Sequence, residues 1–231
     1  MSVHLFDVDY TLIKKSTSWY FFLEGFRQGV FSLGQFRQLP LEWLRYKLGR
    51  ANEDFIAQAV SHLAGIDKQV MENLASAYFT RRLKPNIYAE GARLIRSLQE
   101  KGEPVHLATS SFDILIRPLE DFFSLTGSIN STLEFVDGKT SGRTRGLIPF
   151  GKNKKNAVEA WLKARSLSPE DVYFYSDSYT DLPVLEFCGH PAAVNPDRIL
   201  GREAKQRGWP ILRFRETLGF TQGETRLLDT R

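Results

Sequence analysis

The chain has 231 residues, a net charge of +4, and 42% hydrophobic and 25% charged residues, as expected for a soluble globular protein able to hold one sizeable domain with an insertion. A single cysteine, Cys188, excludes an internal disulfide and a cysteine-type zinc site, and four scattered histidines (His4, His62, His106, His190) lack zinc-binding spacing. The basic excess is spread along the chain with no nucleic-acid signature, so no nucleic-acid partner is expected, only a general attraction for anions.

The N-terminus, Met-Ser-Val-His-Leu-Phe-Asp, brings in a carboxylate at position 7, which does not suit a signal peptide. No apolar run approaches the roughly 20 residues needed to span a bilayer, so stable membrane insertion is not expected and the expected setting is cytoplasmic. Val3 to Phe6 is a short apolar run suited to a buried strand. From Ser16 to Phe79 apolar residues recur at helical spacing: Trp19, Phe22, Leu23 and Phe26, then Trp43, Leu44 and Leu48, then Phe55, Ile56, Ala59, Val60 and Leu63. Gly29, Pro40, Gly49 and Gly65 punctuate this stretch, which reads as an all-helical insert.

Beyond Pro85 helices alternate with short apolar strands. The pattern predicts a helix over 90–101 closed by Gly102, a strand over 105–108 and a helix over 114–123. Asp137-Gly138 marks a hairpin within 129–144. A helix over 155–164 follows, then a helix start or a turn at Ser168-Pro169-Glu170, a strand over 172–175 and a helix over 182–187. A strand over 192–194 precedes Asn195-Pro196, read as the cap of a helix ending at Gly208, and 211–214 reads as a last strand. The segment from Glu216 is polar without an evident core face. This alternation implies an α/β fold, a doubly wound parallel sheet that binds ligands at the carboxyl ends of its strands.

Three strands deliver polar residues to that edge: Asp7-Val8-Asp9-Tyr10-Thr11, Thr109-Ser110-Ser111, and Ser176-Asp177-Ser178-Tyr179-Thr180-Asp181. A solvent-exposed acidic turn would explain Asp7 and Asp9 alone, but not three strand ends together. Four converging carboxylates cannot all ionise cheaply in a partly buried site. A divalent cation relieves that repulsion, and all-oxygen ligation favours Mg²⁺.

In this order, the motifs resemble those of the haloacid dehalogenase superfamily of phosphatases. Asp7-Val8-Asp9-Tyr10-Thr11 is similar to its D-x-D-x-T motif, and Asp177 with Asp181 to its last acidic pair. The stretch from Tyr175 to Glu186, followed by Val194-Asn-Pro-Asp197 and Gly208-Trp-Pro210, resembles a hydrolase subgroup of the branch that contains phosphoserine phosphatase, subfamily IB. The resemblance implies a core formed by residues 1–13 and 85–215, a helical cap over 14–84 and a polar tail over 216–231. It implies a Mg²⁺-dependent phosphomonoesterase with Asp7 as covalent nucleophile and Asp9 as general acid and base. Thr109, with Ser110 as its neighbour in register, would bind the phosphoryl group together with one lysine. Lys154 is favoured over Lys155 and Lys152, because it shares a face with Val158 and Leu162. Asp7, the Asp9 carbonyl and Asp177 would hold the metal, with Asp181 supporting metal or lysine; Ser110 or Ser111 would otherwise cap the following helix.

The cap departs from phosphoserine phosphatase. Lys14, Lys15 and Ser16 stand where that family carries an acidic residue, and Ala59 falls near its cap arginine. A small organic phosphate other than phosphoserine is therefore the expected substrate. Phosphoserine, an aromatic phosphate, a lysophospholipid, or transfer to an alcohol acceptor are the alternatives.

Overall fold

The computed structural model describes residues 2–32 and 58–219. The apolar positions at 43, 44, 48, 55 and 56, and residues 220–231 of the polar tail, lie outside them. Seven strands form one sheet: β1 (Val3–Phe6), β2 (Val105–Phe112), β3 (Ser128–Val136), β4 (Lys139–Arg145), β5 (Val172–Ser176), β6 (His190–Val194) and β7 (Ile211–Leu212). Their order is β4-β3-β2-β1-β5-β6-β7, parallel except for the β3–β4 hairpin. Described helices are α1 (Thr17–Arg27), α2 (Lys68–Tyr78), α3 (Ala89–Glu100), α4 (Asp113–Phe123), α5 (Lys152–Lys163), α6 (Leu182–Phe187) and α7 (Arg198–Arg207). None is long and apolar enough to cross a membrane.

β1 is central and buried along its whole length, as a strand covered on both faces must be. Val3 and Leu5 face one core, with Val158 and Leu162 of α5 and Phe174 of β5. Phe6 faces the other, with Ile95 of α3 and Leu119 of α4. Phe6 pairs with Leu107 on one side and Tyr175 on the other. The chain winds outward from β1 through β2 to β3, then returns to place β5 against the opposite edge of β1. This switch opens a crevice beyond the strands' carboxyl ends, where Asp7 emerges.

Several boundaries differ from the sequence reading. β2 continues through Thr109, Ser110 and Ser111 to Phe112. Its pairing with β3 slips between Ala108 and Phe112, so that four residues of β2 advance against two of β3. Such bulges re-aim side chains beside functional sites. Neither serine caps α4, whose N-cap is Phe112 with no side-chain hydrogen bond. α5 begins at Lys152, bringing Lys154 into its first turn. Asp197, rather than Asn195, caps α7, accepting from the amides of Ile199 and Leu200. The Asn195 side chain instead accepts from the Phe214 amide at 3.0 Å, and β7 ends at Leu212. Residues 216–219 are tied to the start of α3: the Ala89 amide donates to Glu216 O and the Leu218 amide to Ile87 O, each at 2.9 Å.

Between β1 and β2 the described chain contains α1, a helical stretch over 58–61, α2, a π-helical turn (Phe79–Leu83) and a 3₁₀ turn (Lys84–Asn86). Phe21 of α1 meets Tyr78 of α2 edge-on at 5.7 Å, and the Tyr78 hydroxyl donates to Leu115 O of α4 at 3.0 Å. The insert also grips the hairpin: Gly65 N to Thr140 O, Thr140 N to Ile66 O and Lys68 N to Gly138 O are each 2.8 Å. Gly142 (φ +75°) permits this contact, since a Cβ there would stand 2.9 Å from that of Ala64.

Glu24 ties the two ends of the insert together. Its side chain is fully buried and accepts from Arg27 Nε (2.8 Å) and Nη2 (2.5 Å), Gln28 Nε2 (3.0 Å) and Arg82 Nε (3.4 Å). The Arg27 hydrogen bonds, opposed by burial, pull its pKa down to about 2. A depressed carboxylate stabilises the fold above its ordinary pKa of 4.5, and that stabilisation is lost as pH falls toward about 2. Glu24→Gln is expected to cost about 2 kcal/mol and lower the melting temperature by about 4–8 °C at pH 7. In thermal melts the gap between native and variant protein should close between pH 4.5 and 2; a gap constant across that window would contradict the assignment.

Candidate active site

The turn after β1 builds the site. The Asp7 amide donates to Tyr175 O at 2.9 Å, fixing Asp7 at the β1–β5 boundary. The amides of Leu12 and Ile13 both return to Val8 O (2.9 and 3.0 Å), and Tyr10 takes a left-handed conformation (φ +59°). A bulky residue in that region is strained, and such strain recurs in functional turns.

Asp7, Lys154 and Asp181 are almost completely buried. Lys154 Nζ donates to Asp7 Oδ1 at 2.9 Å and to Asp181 Oδ2 at 2.7 Å. Val158 and Leu162, one and two turns further along α5, are buried on the same face and hold the lysine in this direction. Burial alone would lower the Lys154 pKa; Asp181 and Asp7 overturn this and hold it above its ordinary range. Of the other two lysines, Lys155 pairs with Glu159 at 2.5 Å and lies over the Phe187 ring, and Lys152 is exposed.

One lysine does not balance the local carboxylates. Burial raises Asp7 to about 7, against Lys154 and with Asp181 adding to the shift. Asp177, at the end of β5, is raised well above its ordinary value by burial and then by Asp7 and Asp181. Burial raises Asp9 as well, opposed by its hydrogen bonds to Thr17. The Thr11 hydroxyl stands 3.4 Å from both Asp7 Oδ2 and Asp177 Oδ1, so the two carboxylates share one hydroxyl.

The carboxylates of Asp9 and Asp181 do not join those of Asp7 and Asp177 in one cage. Asp181 is turned to Lys154 and to the Ser176 hydroxyl (2.7 Å), while Asp9 Oδ1 accepts from the Thr17 amide (2.9 Å). Among the described residues no three His, Cys, Asp or Glu side chains are grouped to hold a metal ion. Asp7 and Asp177 remain: an oxygen-only pair whose like charge Lys154 relieves only in part, a donor set that fits a hard divalent cation completed by backbone and water oxygens.

Thr109 lies two residues beyond Leu107, the β1 partner of Phe6, and its hydroxyl accepts from the Ser111 amide at 3.1 Å. Ser110 is half-buried, with its carbonyl accepting from the Ser131 hydroxyl at 2.8 Å. Sequence reasoning missed the side-chain roles of Thr11, Ser176 and Thr17. A serine ending an otherwise apolar strand was the available signal for Ser176. Thr17 carries no local signal, because its partners lie 8 and 94 positions away.

The crowding predicts a gain in stability on losing charge. In chelator, Asp177→Asn keeps an acceptor for Thr11 and removes one anion, which should stabilise the fold by about 1 kcal/mol and raise the melting temperature by about 2–4 °C. A lower melting temperature would show that the repulsion is already relieved.

The model of the haloacid dehalogenase-like hydrolases matches residues 4–186. A probable phosphatase of Mycobacterium tuberculosis is 30% identical over 213 residues, 90% of this chain and 74% of that protein. A histidinol-phosphatase of Neisseria meningitidis is 29% identical over 219 residues, 91% and 98% of the two chains. A solved structure from Bordetella pertussis, of a protein of unknown function, superposes with a TM-score of 0.82 at 26% identity, covering 91% of this chain and 97% of that one. The other relatives and solved structures include a phosphoserine phosphatase of Mycobacterium tuberculosis, 28% identical over 215 residues, and a substrate-bound phosphoserine phosphatase with a TM-score of 0.68 at 20% identity. With its crowded aspartates at the switch point of a seven-stranded sheet, the chain belongs to the haloacid dehalogenase-like hydrolase family and is one of its phosphatases.

Proposed function

We propose that this phosphatase hydrolyses a small organic phosphomonoester through an aspartyl phosphate on Asp7 and depends on Mg²⁺. The observation that carries the reading is the buried Asp7 carboxylate, fixed by Lys154 at 2.9 Å and sharing the Thr11 hydroxyl with Asp177. A carboxylate anchored through one oxygen and facing its neighbours with the other is oriented as a nucleophile. The Asp7 carboxylate attacks phosphorus while the bond to the leaving oxygen breaks, and Asp9 gives that oxygen its proton. Asp9, now ionised, takes a proton from water as water attacks the phosphoryl group and releases Asp7. Lys154 and Thr109, with Ser110 beside it, hold the phosphoryl oxygens. Asp7, Asp177 and the Asp9 carbonyl are the residues that would hold Mg²⁺, and Asp181 keeps Lys154 in place. When bound, the cation neutralises charge shared by nucleophile and phosphate.

Residues 14–84 are proposed as a cap that covers the site and reads the leaving group. Lys14 and Lys15 are exposed, and Ser16 is buried as the N-cap of α1, its hydroxyl facing the Trp19 amide at 3.4 Å. No acidic partner for a substrate ammonium stands at these three positions. Among the insert's described arginines, Arg27, Arg81 and Arg82 are drawn to Glu24. These features favour a substrate lacking the carboxylate of phosphoserine. Histidinol phosphate, implied by the name of the N. meningitidis relative, lacks that carboxylate but keeps the ammonium, which these three positions do not serve.

Phosphate release from an aryl phosphate should require Mg²⁺, cease in chelator, and fall by about 10³-fold or more in Asp7→Asn. Asp9→Asn should slow turnover by about 10²–10⁴-fold. In a panel containing histidinol phosphate and phosphoserine, the former should give the higher kcat/KM. Undiminished turnover in Asp7→Asn would sink the mechanism, and preference for phosphoserine would sink the substrate assignment alone.

A further inference from the structure

Asp9 is held differently from Asp7. The two lie two residues apart, but Asp7 faces Lys154 of the core, whereas Asp9 Oδ1 accepts from the backbone amide of Thr17 at 2.9 Å. Thr17 is the first residue of α1, where helix amides lack intrahelical partners and attract anions. Its hydroxyl continues the connection, standing 2.7 Å from the Ser111 hydroxyl, while the Ser111 amide donates to Thr109 Oγ1 at 3.1 Å. Thr17, Ser111 and Thr109 are buried, so water does not readily replace a lost partner.

The β2 bulge explains how Ser111 reaches this place. In a regular pairing Ala108 and Phe112 would face β3 residues four apart, but they face Ile129 and Ser131. The extra length re-aims the segment that carries Thr109 and Ser111. A connected line therefore runs from the strand end that would bind phosphate, through two hydroxyls, to the Asp9 carboxylate, and it passes through the first residue of α1.

Resting on the reading of Asp9 as general acid and base, we propose that Thr17 and Ser111 are positioning residues: Ser111 fixes the Thr17 hydroxyl on the β2 bulge, and Thr17 fixes the Asp9 carboxylate for proton transfer to the leaving oxygen. Neither touches the reacting atoms. In the first step their effect is therefore on leaving groups that need a proton, not on phosphoryl binding; in the second step it is common to every ester.

The test compares an alkyl phosphate, whose alkoxide leaves only with a proton, with 4-nitrophenyl phosphate, whose phenolate leaves unaided. Ser111→Ala and Thr17→Val should each lower kcat/KM, which reports the step in which the leaving group departs, by about tenfold or more on the alkyl ester and by less than about threefold on the aryl ester. Thr17→Ser should restore the native ratio, and the double variant should lose little more than either single one. Equal losses of kcat/KM on both esters would mark a merely structural role and overturn the proposal, as would no loss on either. Asp9→Asn run alongside separates this from the underlying reading: if that variant shows no alkyl-selective loss of kcat/KM, the role of Asp9 as general acid itself fails. Amide hydrogen exchange supplies a readout independent of turnover. Ser111→Ala should speed exchange at Thr17 by about tenfold while leaving α2 unchanged, and unchanged exchange at Thr17 would overturn the proposal.

Discussion

The rest of the site depends on one buried cation, Lys154, between Asp7 and Asp181. Ionised carboxylates do not stay buried without compensation. Here the sheet brings Asp7 and Asp177 to neighbouring strand ends, with Asp181 and Asp9 close behind. Lys154 offsets part of that charge because α5 starts beside the crevice, at Gly151 in a positive-φ conformation (+54°), and because Val158 and Leu162 lock the helix's buried face against β1 and β5. Remove any of these and the ammonium would point elsewhere. Ion pairs of this kind contribute little net stability, since desolvation consumes most of the Coulombic gain. The site therefore fixes geometry and leaves a surplus of negative charge for a cation to meet.

Stability and function pull against each other in the same residues. Tyr10 is held at positive φ so that the chain can turn back after Asp9, and Asp7 and Asp177 are kept together although Asp7 adds to the rise that burial gives the Asp177 pKa. The compensation lies in the apolar cores on both faces of β1 and in contacts remote from the crevice, such as the Glu24 cluster and the backbone bonds between insert and hairpin. The insert is thus anchored at the hairpin and at α4, and its Thr17 touches the turn after β1 at Asp9.

Much of this was legible in the sequence, for identifiable reasons. β1 and β5 are apolar runs ending in acids, and the alternation of helices and strands that follows leaves little freedom of fold class. Lys154 could be distinguished from Lys152 and Lys155 because a 3.6-residue period puts it over Val158 and Leu162. What escaped depends on partners remote in sequence. The continuation of β2 through Thr109, Ser110 and Ser111 reads as a polar loop, since serines and threonines favour turns, and only β3 beside it makes the segment a bulged strand. Asn195-Pro196 looks like a helix cap, but the Asn195 side chain is taken by Phe214, and Asp197 supplies the cap. Asp181 looked equally suited to metal or lysine; its contacts with Lys154 and Ser176 are what the folded chain adds.

The central claim is that Asp7 becomes covalently phosphorylated. The direct measurement is acid quench of the enzyme during turnover, borohydride reduction, and mass spectrometry of the peptide containing residue 7. Reduction of an aspartyl phosphate yields homoserine, so the account predicts homoserine at position 7, in greater yield when Asp9→Asn slows breakdown of the intermediate, and none in Asp7→Asn. Homoserine or phosphate at another residue, or steady turnover with position 7 always recovered as aspartate, would contradict it.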